Sequence, residues 1–220
     1  MKLPIAIVGF GGHGRVVAAA LEASGRQILA ATTLTPSAVD SSATKILLLT
    51  DAELIDRYAP DQIELILGIG GITPTCSESS KWKIVQDFQQ RGFRFTGFRH
   101  PAAWVAPSAI VSPTAQIHAG AIVQPGAVVR NFAIVNTLVG VDHDCVIGEH
   151  CHLGPGTSLS GDVRVGDGSH LGTGCNVIQG IELGVGCFVA AGATVVRDVA
   201  DGEYVRGVPA KTFVPRVVTG

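Results

Sequence analysis

Between Trp104 and Val199 the chain repeats every six residues, sixteen times, without an insertion. Cut from WVAPSA to TVVRDV, the second place is Val, Ile or Leu in all sixteen hexads. The sixth is Ala, Cys, Ser, Thr, Val or Ile. A period of six matches neither the 3.6 of an α-helix nor the 2 of a flat strand. It matches a chain wound into short strands and turns, coil upon coil, which is the hexapeptide β-helix pattern. The aliphatic residue fills the axis, and the small one lets the chain turn without crowding it. Each coil buries its apolar edge only against its neighbours, so stability is a nearest-neighbour sum along the stack. Three hexads make one coil, and the repeat becomes a ruler on which residues 18 apart lie above one another.

The first hundred residues follow a different rule. IAIVGF reads as a strand, GGHG as a turn and RVVAAALEASG as a helix ending at Gly25. QILAATT and ELILGIGG read as strands, DAELIDRYA as a helix, and SSKWKIVQDFQQRG as a helix capped by serines and ended by Gly92. FRFTGF reads as a last strand, SAVDSSAT as loop, and Arg99 to Ala103 as the junction to the first hexad. Strands alternating with helices predict a small, Rossmann-like parallel α/β sheet. The expected division is 1–98 for this α/β domain and 99–220 for the β-helix with its tail. In that tail, Tyr204 to Val208 reads as strand.

Composition narrows the partners. Apolar residues make up 46% of the chain and charged residues 15%, enough for a packed core, and the net charge of −2 suggests no nucleic acid. No apolar run approaches a membrane span, and the N-terminus lacks a cleavable leader pattern, so a cytoplasmic location is expected. Cys145, Cys151, Cys175 and Cys187 all occupy sixth places, where a small hydrophobe is wanted; Cys76 stands alone. They read as packing residues in a reduced compartment.

Gly9, Gly11 and Gly14 fit GxGxxG between a strand and a helix, where backbone can approach a phosphate. Gly12 and His13 lie within the same turn, and an imidazole there can donate to a phosphate or sugar oxygen. Gly68, Gly70 and Gly71, after the third strand, would face the same crevice. A dinucleotide site also wants an acid at the end of the second strand. Thr32 and Thr33 stand there instead, which ranks a dehydrogenase low.

Asp142-His143-Asp144 is followed closely by His150 and His152. His143 is fourth in its hexad, on the turn side. A carboxylate bonded to one ring nitrogen fixes the tautomer and makes the other a better base. Such a pair suits removal of a proton from an amine or hydroxyl attacking a carbonyl. The ruler sets Gly161 one coil from His143, where its amide could steady an oxyanion. It pairs His152 with His170. His118 and His150 read as exposed polar residues of the solenoid, as does His170. The spacings among His143, His150, His152 and His170 lack the HxxxxH of β-helix zinc sites, so no metal is expected.

GFGGHGRVV at the start, His100-Pro101 at the junction, Asn136, His143-Asp144 and His152 in the hexads, and GVPAK at Gly207–Lys211 together resemble one family. It is the left-handed β-helix sugar acyltransferases that acetylate nucleotide-linked amino sugars, related to the sialic acid O-acetyltransferases. The resemblance covers essentially the whole chain. It implies a left-handed parallel β-helix, acetyl-CoA as co-substrate, and a homotrimer with active sites between subunits. By position it implies His143 as general base, oriented by Asp144, with the Gly161 amide polarising the acetyl carbonyl. It implies Asn136 and His152 in the same pocket, His152 near the acetyl carbonyl, and Thr173 and Ala191 along the pantetheine arm. Arg206 and Lys211 are placed near the coenzyme phosphates by their charge. Gly11, Gly12, His13 and Gly14 would hold the nucleotide sugar. Relatives that use UDP-sugars often carry paired aspartates where this chain has ATTLTPS, which favours GDP or dTDP, with GDP-perosamine as an example. The product would feed O-antigen, capsule or protein glycosylation. The leading expectation is N-acetylation of a 4-amino-4,6-dideoxy sugar nucleotide by direct transfer. An O-acetyltransferase acting on a sialic acid-type sugar is the alternative, and a non-catalytic assembly helix, which would show regular outward ladders, ranks behind both.

Overall fold

The computed structural model describes residues 2–35, 46–71 and 80–214. Cys76, the SAVDSSAT stretch and the serines before Ser80 lie outside the described residues. The N-terminal unit runs β1 (Ile5–Val8), α1 (Gly12–Ala23), β2 (Ile28–Thr32), β3 (Leu47–Leu49), α2 (Asp51–Arg57), β4 (Glu64–Leu67) and α3 (Ser80–Gln90). Its four strands form one parallel sheet in the order β3-β2-β1-β4. β1 is IAIV because both of its faces are covered. Ile5 and Ile7 pack with Val17 and Leu21 of α1, whereas Ala6 and Val8 pack with Leu54 of α2 and Phe88 of α3. α2 starts on a reciprocal cap, in which the Glu53 amide donates to Thr50 Oγ1 and the Thr50 amide donates to Glu53.

Three details differ from the sequence reading. β3 is an additional edge strand, marked by the apolar run just before the Thr50 cap. α1 begins at Gly12, so His13 is already helical. FRFTGF does not complete the sheet. Phe95 makes a single bridge to Leu65, and β5 (Phe98–Arg99) pairs with Gln116–Ile117 instead. FRHPAA is therefore a hexad in its own right, hidden in the sequence because Arg99 holds the aliphatic place.

From there the chain is a left-handed parallel β-helix. Each of the sixteen hexads contributes a two-residue strand from its first and second places. Pairing is at 18: Trp104 with Ile122, Ile110 with Val128, Ile134 with His152, His152 with His170. Only the last rung shortens, Phe188 pairing with Tyr204 before Lys211–Thr212 turns back antiparallel. The prism has three faces, named here by their first outward residue: Phe98, Trp104 and Ile110. Second-place residues such as Ile117, Val135, Leu153 and Leu171 fill the axis and are fully buried.

Sixth places do more than stay small. The Cys145 thiol donates to the Ser160 carbonyl at 3.2 Å and the Cys151 thiol to Gly166 at 3.0 Å. The Ser169 hydroxyl reaches Gly184 at 2.9 Å and the Cys187 thiol Ala200 at 3.1 Å. Each bond runs from one corner to the coil above. Third places are tight for another reason: a Cβ on Gly172 would stand 2.5 Å from the Ala191 amide nitrogen. Thirteen of the sixteen fifth places, from Gly120 to Gly192, turn through the left-handed region. Glycine fills eight of these thirteen, but Phe132, Leu138, Asp144, His150 and Asp162 adopt φ between 55° and 58°, a cost of about 1 kcal/mol or more for a residue with a Cβ.

Two of those strained residues dock the N-terminal unit. His150 lies between Trp82, with ring centroids 4.0 Å apart, and Phe132 at 4.7 Å, and Phe132 meets Phe95 edge-on. Lys81, itself buried, donates from Nζ to the His150 carbonyl at 3.2 Å. No helix among the described residues is long and apolar enough to cross a membrane.

The coil spacing generates a stability prediction. Gly172→Ala forces the Thr173 and Ala191 coils apart and should cost about 1–3 kcal/mol, seen as a lower urea midpoint. An unchanged midpoint would mean that the coils give way freely.

Candidate active site

The hexad GVDHDC places Asp142 to Cys145 in a turn on the edge between the Trp104 and Ile110 faces. The left-handed Asp144 swings its carboxylate back onto the preceding side chain. His143 Nδ1 donates to Asp144 Oδ2 at 2.9 Å, and the His143 amide donates to Asp142 Oδ1 at 2.7 Å. Because a carboxylate can only accept, the ring proton sits on Nδ1 and Nε2 is left with its lone pair. Both side chains are more than half exposed. The Asp144 hydrogen bond, and then the charges of Asp142, Asp144 and Asp162, hold His143 above the ordinary imidazole value against a desolvation effect of opposite sign.

The coils on either side are cut to fit this pair. A Cβ on Gly161 would collide with His143 Nε2, and one on Gly126 would collide with Asp144 Oδ1. The ring therefore lies directly over the Gly161 backbone, as the ruler requires. The Gly161 amide makes no backbone hydrogen bond among the described residues. A base and a free donor thus sit side by side.

A second group of residues lies on another edge, between the Phe98 and Trp104 faces. Here a cavity of about 570 Å³ opens between the N-terminal sheet and the solenoid. Its walls include Gly11, Gly12, His13, Gly70, Asn136 and His152. Gly14 and Gly68 pack against the Gly9 carbonyl so closely that no Cβ fits at either, which lets β1, β4 and α1 converge at their ends. Gly11 caps α1 without a side chain, leaving first-turn amides toward the cavity. Thr32 has a structural use: its Oγ1 accepts from the Gly9 amide at 3.1 Å.

Asn136 and His152 form a clamp across this cavity. His152 Nδ1 donates to the Gly71 carbonyl at 3.0 Å, and Asn136 Nδ2 donates to His152 Nε2 at 3.1 Å. Asn136 Oδ1 accepts from the Thr137 amide at 2.7 Å. Both ring nitrogens of His152 are occupied, so in this state it ties the glycine loop to the solenoid and offers nothing to an acetyl carbonyl. Nor do Asn136 and His152 share a pocket with His143 within one chain; the two groups sit on different edges of the prism.

Thr173 and Ala191 belong to the cavity's edge. Thr137, Pro155, Thr173 and Ala191 are fourth-place residues 18 apart and make one column. At about 4.8 Å per rung this column spans about 14 Å. Beyond it, the hairpin pairs Arg206 with Lys211 beside a cavity of about 550 Å³, and Arg206 stacks on Phe213 at 4.7 Å.

The expectation of exposed histidines fails for His118 and His150, which are 1% and 3% exposed. His118 lies beside His13, with ring centroids 5.3 Å apart, and His170 stacks on Phe188 and meets His152 edge to face. Sequence reading also missed Gln116 and Gly126, although 126 and 144 are 18 apart and the ruler could have found that pair. Among the described residues, no three His, Cys, Asp or Glu side chains are placed to hold a metal.

Burial sets a pH dependence. It pushes His118, His150 and His152 down to about 3 and His170 to about 4. The unfolded chain takes up these protons near 6.5. Between 6.5 and 3 the unfolded state therefore binds more protons. The stabilisation is fully present above 6.5 and drains as pH falls, at about 1.4 kcal/mol per pH unit for each imidazole. Urea midpoints should fall steeply from pH 6 to 4.5, and His150→Asn should make that slope shallower by one proton. An unchanged slope would show that His150 titrates normally in the fold.

Residues 4–74 match the family described as the PglD N-terminal domain. No curated protein sequence matches the chain. Among solved structures, PerB from Caulobacter crescentus, in complex with CoA and GDP-perosamine, is 32% identical with a TM-score of 0.85. That match covers 96% of this chain and 97% of PerB. The acetyltransferase domain of PglB from Neisseria gonorrhoeae, in complex with acetyl coenzyme A, is also 32% identical with a TM-score of 0.86, covering 97% of this chain and 100% of that one. WeeI from Acinetobacter baumannii, at 20% identity and a TM-score of 0.82 over 96% of this chain and 100% of that one, shares the fold.

Proposed function

Because the chain belongs to the family of left-handed β-helix acetyltransferases that act on nucleotide-linked amino sugars, we propose that it transfers the acetyl group of acetyl-CoA to the 4-amino group of a nucleotide-linked 4-amino-4,6-dideoxy sugar. The observation that carries this reading is the exposed His143–Asp144 pair lying over the unpaired Gly161 amide. His143 Nε2 takes the proton of the amine as its nitrogen attacks the thioester carbon. The carbonyl oxygen becomes an oxyanion and is met by the Gly161 N–H. The C–S bond then breaks, and the proton leaves with the coenzyme thiol. Asp144 keeps Nε2 free and steadies the imidazolium while it lasts.

In this reading residues 1–98 bind the nucleotide sugar, with Gly11, Gly12, His13 and Gly14 at its phosphates and sugar. The coenzyme arm runs along the Thr137–Ala191 column toward Arg206 and Lys211. His143 and that column are on different edges of one prism, so a homotrimer completes the site by setting the His143 edge of one chain against the cavity edge of the next. Thr32 and Thr33 take the place of an acid after β2, which supports a GDP- or dTDP-linked acceptor over a UDP-linked one. Four buried free thiols fit action in the cytoplasm.

Incubation of the protein with acetyl-CoA and UDP-, dTDP- and GDP-linked 4-amino-4,6-dideoxy sugars, followed by mass spectrometry, tests the reaction. An acetyl gain on a GDP- or dTDP-linked member is expected. No gain on any member, with acetyl-CoA still bound, would point to a hydroxyl acceptor of the sialic acid type. With the working acceptor, His143→Ala should lower kcat/KM by about 10²–10⁴-fold. Activity should rise with pH as the His143 proton is lost, with a midpoint above that of free imidazole. Asp144→Asn should move that midpoint down, and a midpoint that stays fixed would remove Asp144 from the mechanism.

A further inference from the structure

Gln116 opens its hexad on the Phe98 face, beneath the N-terminal sheet, and is 2% exposed. Its amide is pinned from one side: Nε2 donates to the Leu67 carbonyl at the end of β4, at 2.6 Å. A carbonyl only accepts, so the amide cannot be turned round. Oε1 is left facing His13 Nε2 at 3.0 Å. That oxygen also only accepts, so His13 carries its proton on Nε2, and a neutral ring then has its lone pair on Nδ1. The Nδ1 edge stands beside Gly70 in the cavity wall. A Cβ at Gly70 would lie 3.2 Å from His13 Cγ and 3.5 Å from Nδ1, so the glycine leaves that edge uncovered. The titratable and charged neighbours are His118 and His152 on the solenoid and Lys81 on α3. Burial, and then the Lys81 charge, hold His13 below the ordinary imidazole value, against the Gln116 bond.

We infer that Gln116 is a positioning residue that fixes the tautomer of His13, so that His13 accepts a hydrogen bond at Nδ1 from an N–H or O–H of the acceptor sugar. This reverses the donor role that the glycine turn suggests for that imidazole, and it rests on the amino-sugar reading above. A phosphate oxygen cannot satisfy a bare lone pair, whereas a sugar hydroxyl or amine can. Specificity toward the sugar therefore reaches into the N-terminal unit from a side chain of the solenoid.

Long-range ¹H–¹⁵N spectra of histidine-labelled enzyme at pH 7.5 read the tautomer directly, with His13 assigned by its loss in His13→Gln. The expected pattern is a protonated Nε2 and a bare Nδ1 in the unaltered enzyme, and mixed tautomers in Gln116→Met. With GDP-linked 4-amino-4,6-dideoxymannose, or whichever panel member is acetylated, Gln116→Met should raise the acceptor KM about tenfold. The KM for acetyl-CoA should move less than twofold. A proton on Nδ1 in the unaltered enzyme overturns the assignment. So does a Gln116→Met variant whose tautomer and acceptor KM both stay put. If no amino-sugar nucleotide is acetylated, the reaction proposed above fails, while the spectrum still decides the tautomer.

Discussion

Two strand residues per hexad, hydrogen-bonded to partners 18 positions before and after, carry this molecule. The pairing fixes the rise of each coil. The rise in turn dictates which side chains can exist at each place. Gly172 has no room for a Cβ because the next coil's backbone stands against it, and Gly161 and Gly126 have none because His143 and Asp144 occupy that space. The same spacing lets a thiol at a sixth place reach a carbonyl one coil on, so the corners are bonded as well as the faces. A rod bonded along both its faces and its corners can hold the His143–Asp144 pair in place without an enclosing pocket.

The prism also separates tasks by edge. One edge bears the exposed His143–Asp144 pair over the Gly161 backbone. Another bears the cavity, the Asn136–His152 clamp and a straight column of small turn residues ending near two cations. The N-terminal unit is locked to the second edge by buried polar contacts, Gln116 to Leu67 and His152 to Gly71, and by the His150 stack. These contacts are short-range and directional, so the glycine turn keeps a fixed height along the rod. Under the proposed reaction, groups on separate edges of one rod meet only if a second copy of the rod stands beside the first, which would make assembly part of the site.

Much of this was legible in the residues. The repeat gave coil geometry, axis residues, the neighbour of His143 and the pairing of His152 with His170, because a fixed register turns sequence distance into space. It was less informative where two rules compete. Arg99 in an aliphatic place concealed the hexad that begins at Phe98. The short β3 was hidden in an apolar run that could equally precede a helix. His118 and His150 looked like surface residues because nothing in their hexads reveals that another unit will cover them. The hydrogen-bond partners of His152, Gly71 and Asn136, are 81 and 16 residues away, and no local pattern announced them. Burial by a second unit, and bonding across it, are tertiary facts with no local signature.

The fifth places of four successive hexads, from Val128 to Cys151, hold Phe132, Leu138, Asp144 and His150 in a conformation that glycine would adopt freely. Each departure costs on the order of 1 kcal/mol. Within that window fall the docking stack and the acid that aims His143. A version of this chain with glycine at all four would be a smoother rod, and it would lose the ring stack against Trp82 and the carboxylate bonded to His143. The irregular stretch thus answers two demands at once: coil geometry favours glycine at these places, while the stack on Trp82 and the bond to His143 need side chains there. In a repetitive sequence, the places where the repeat tolerates strain are where usefulness has been written over it.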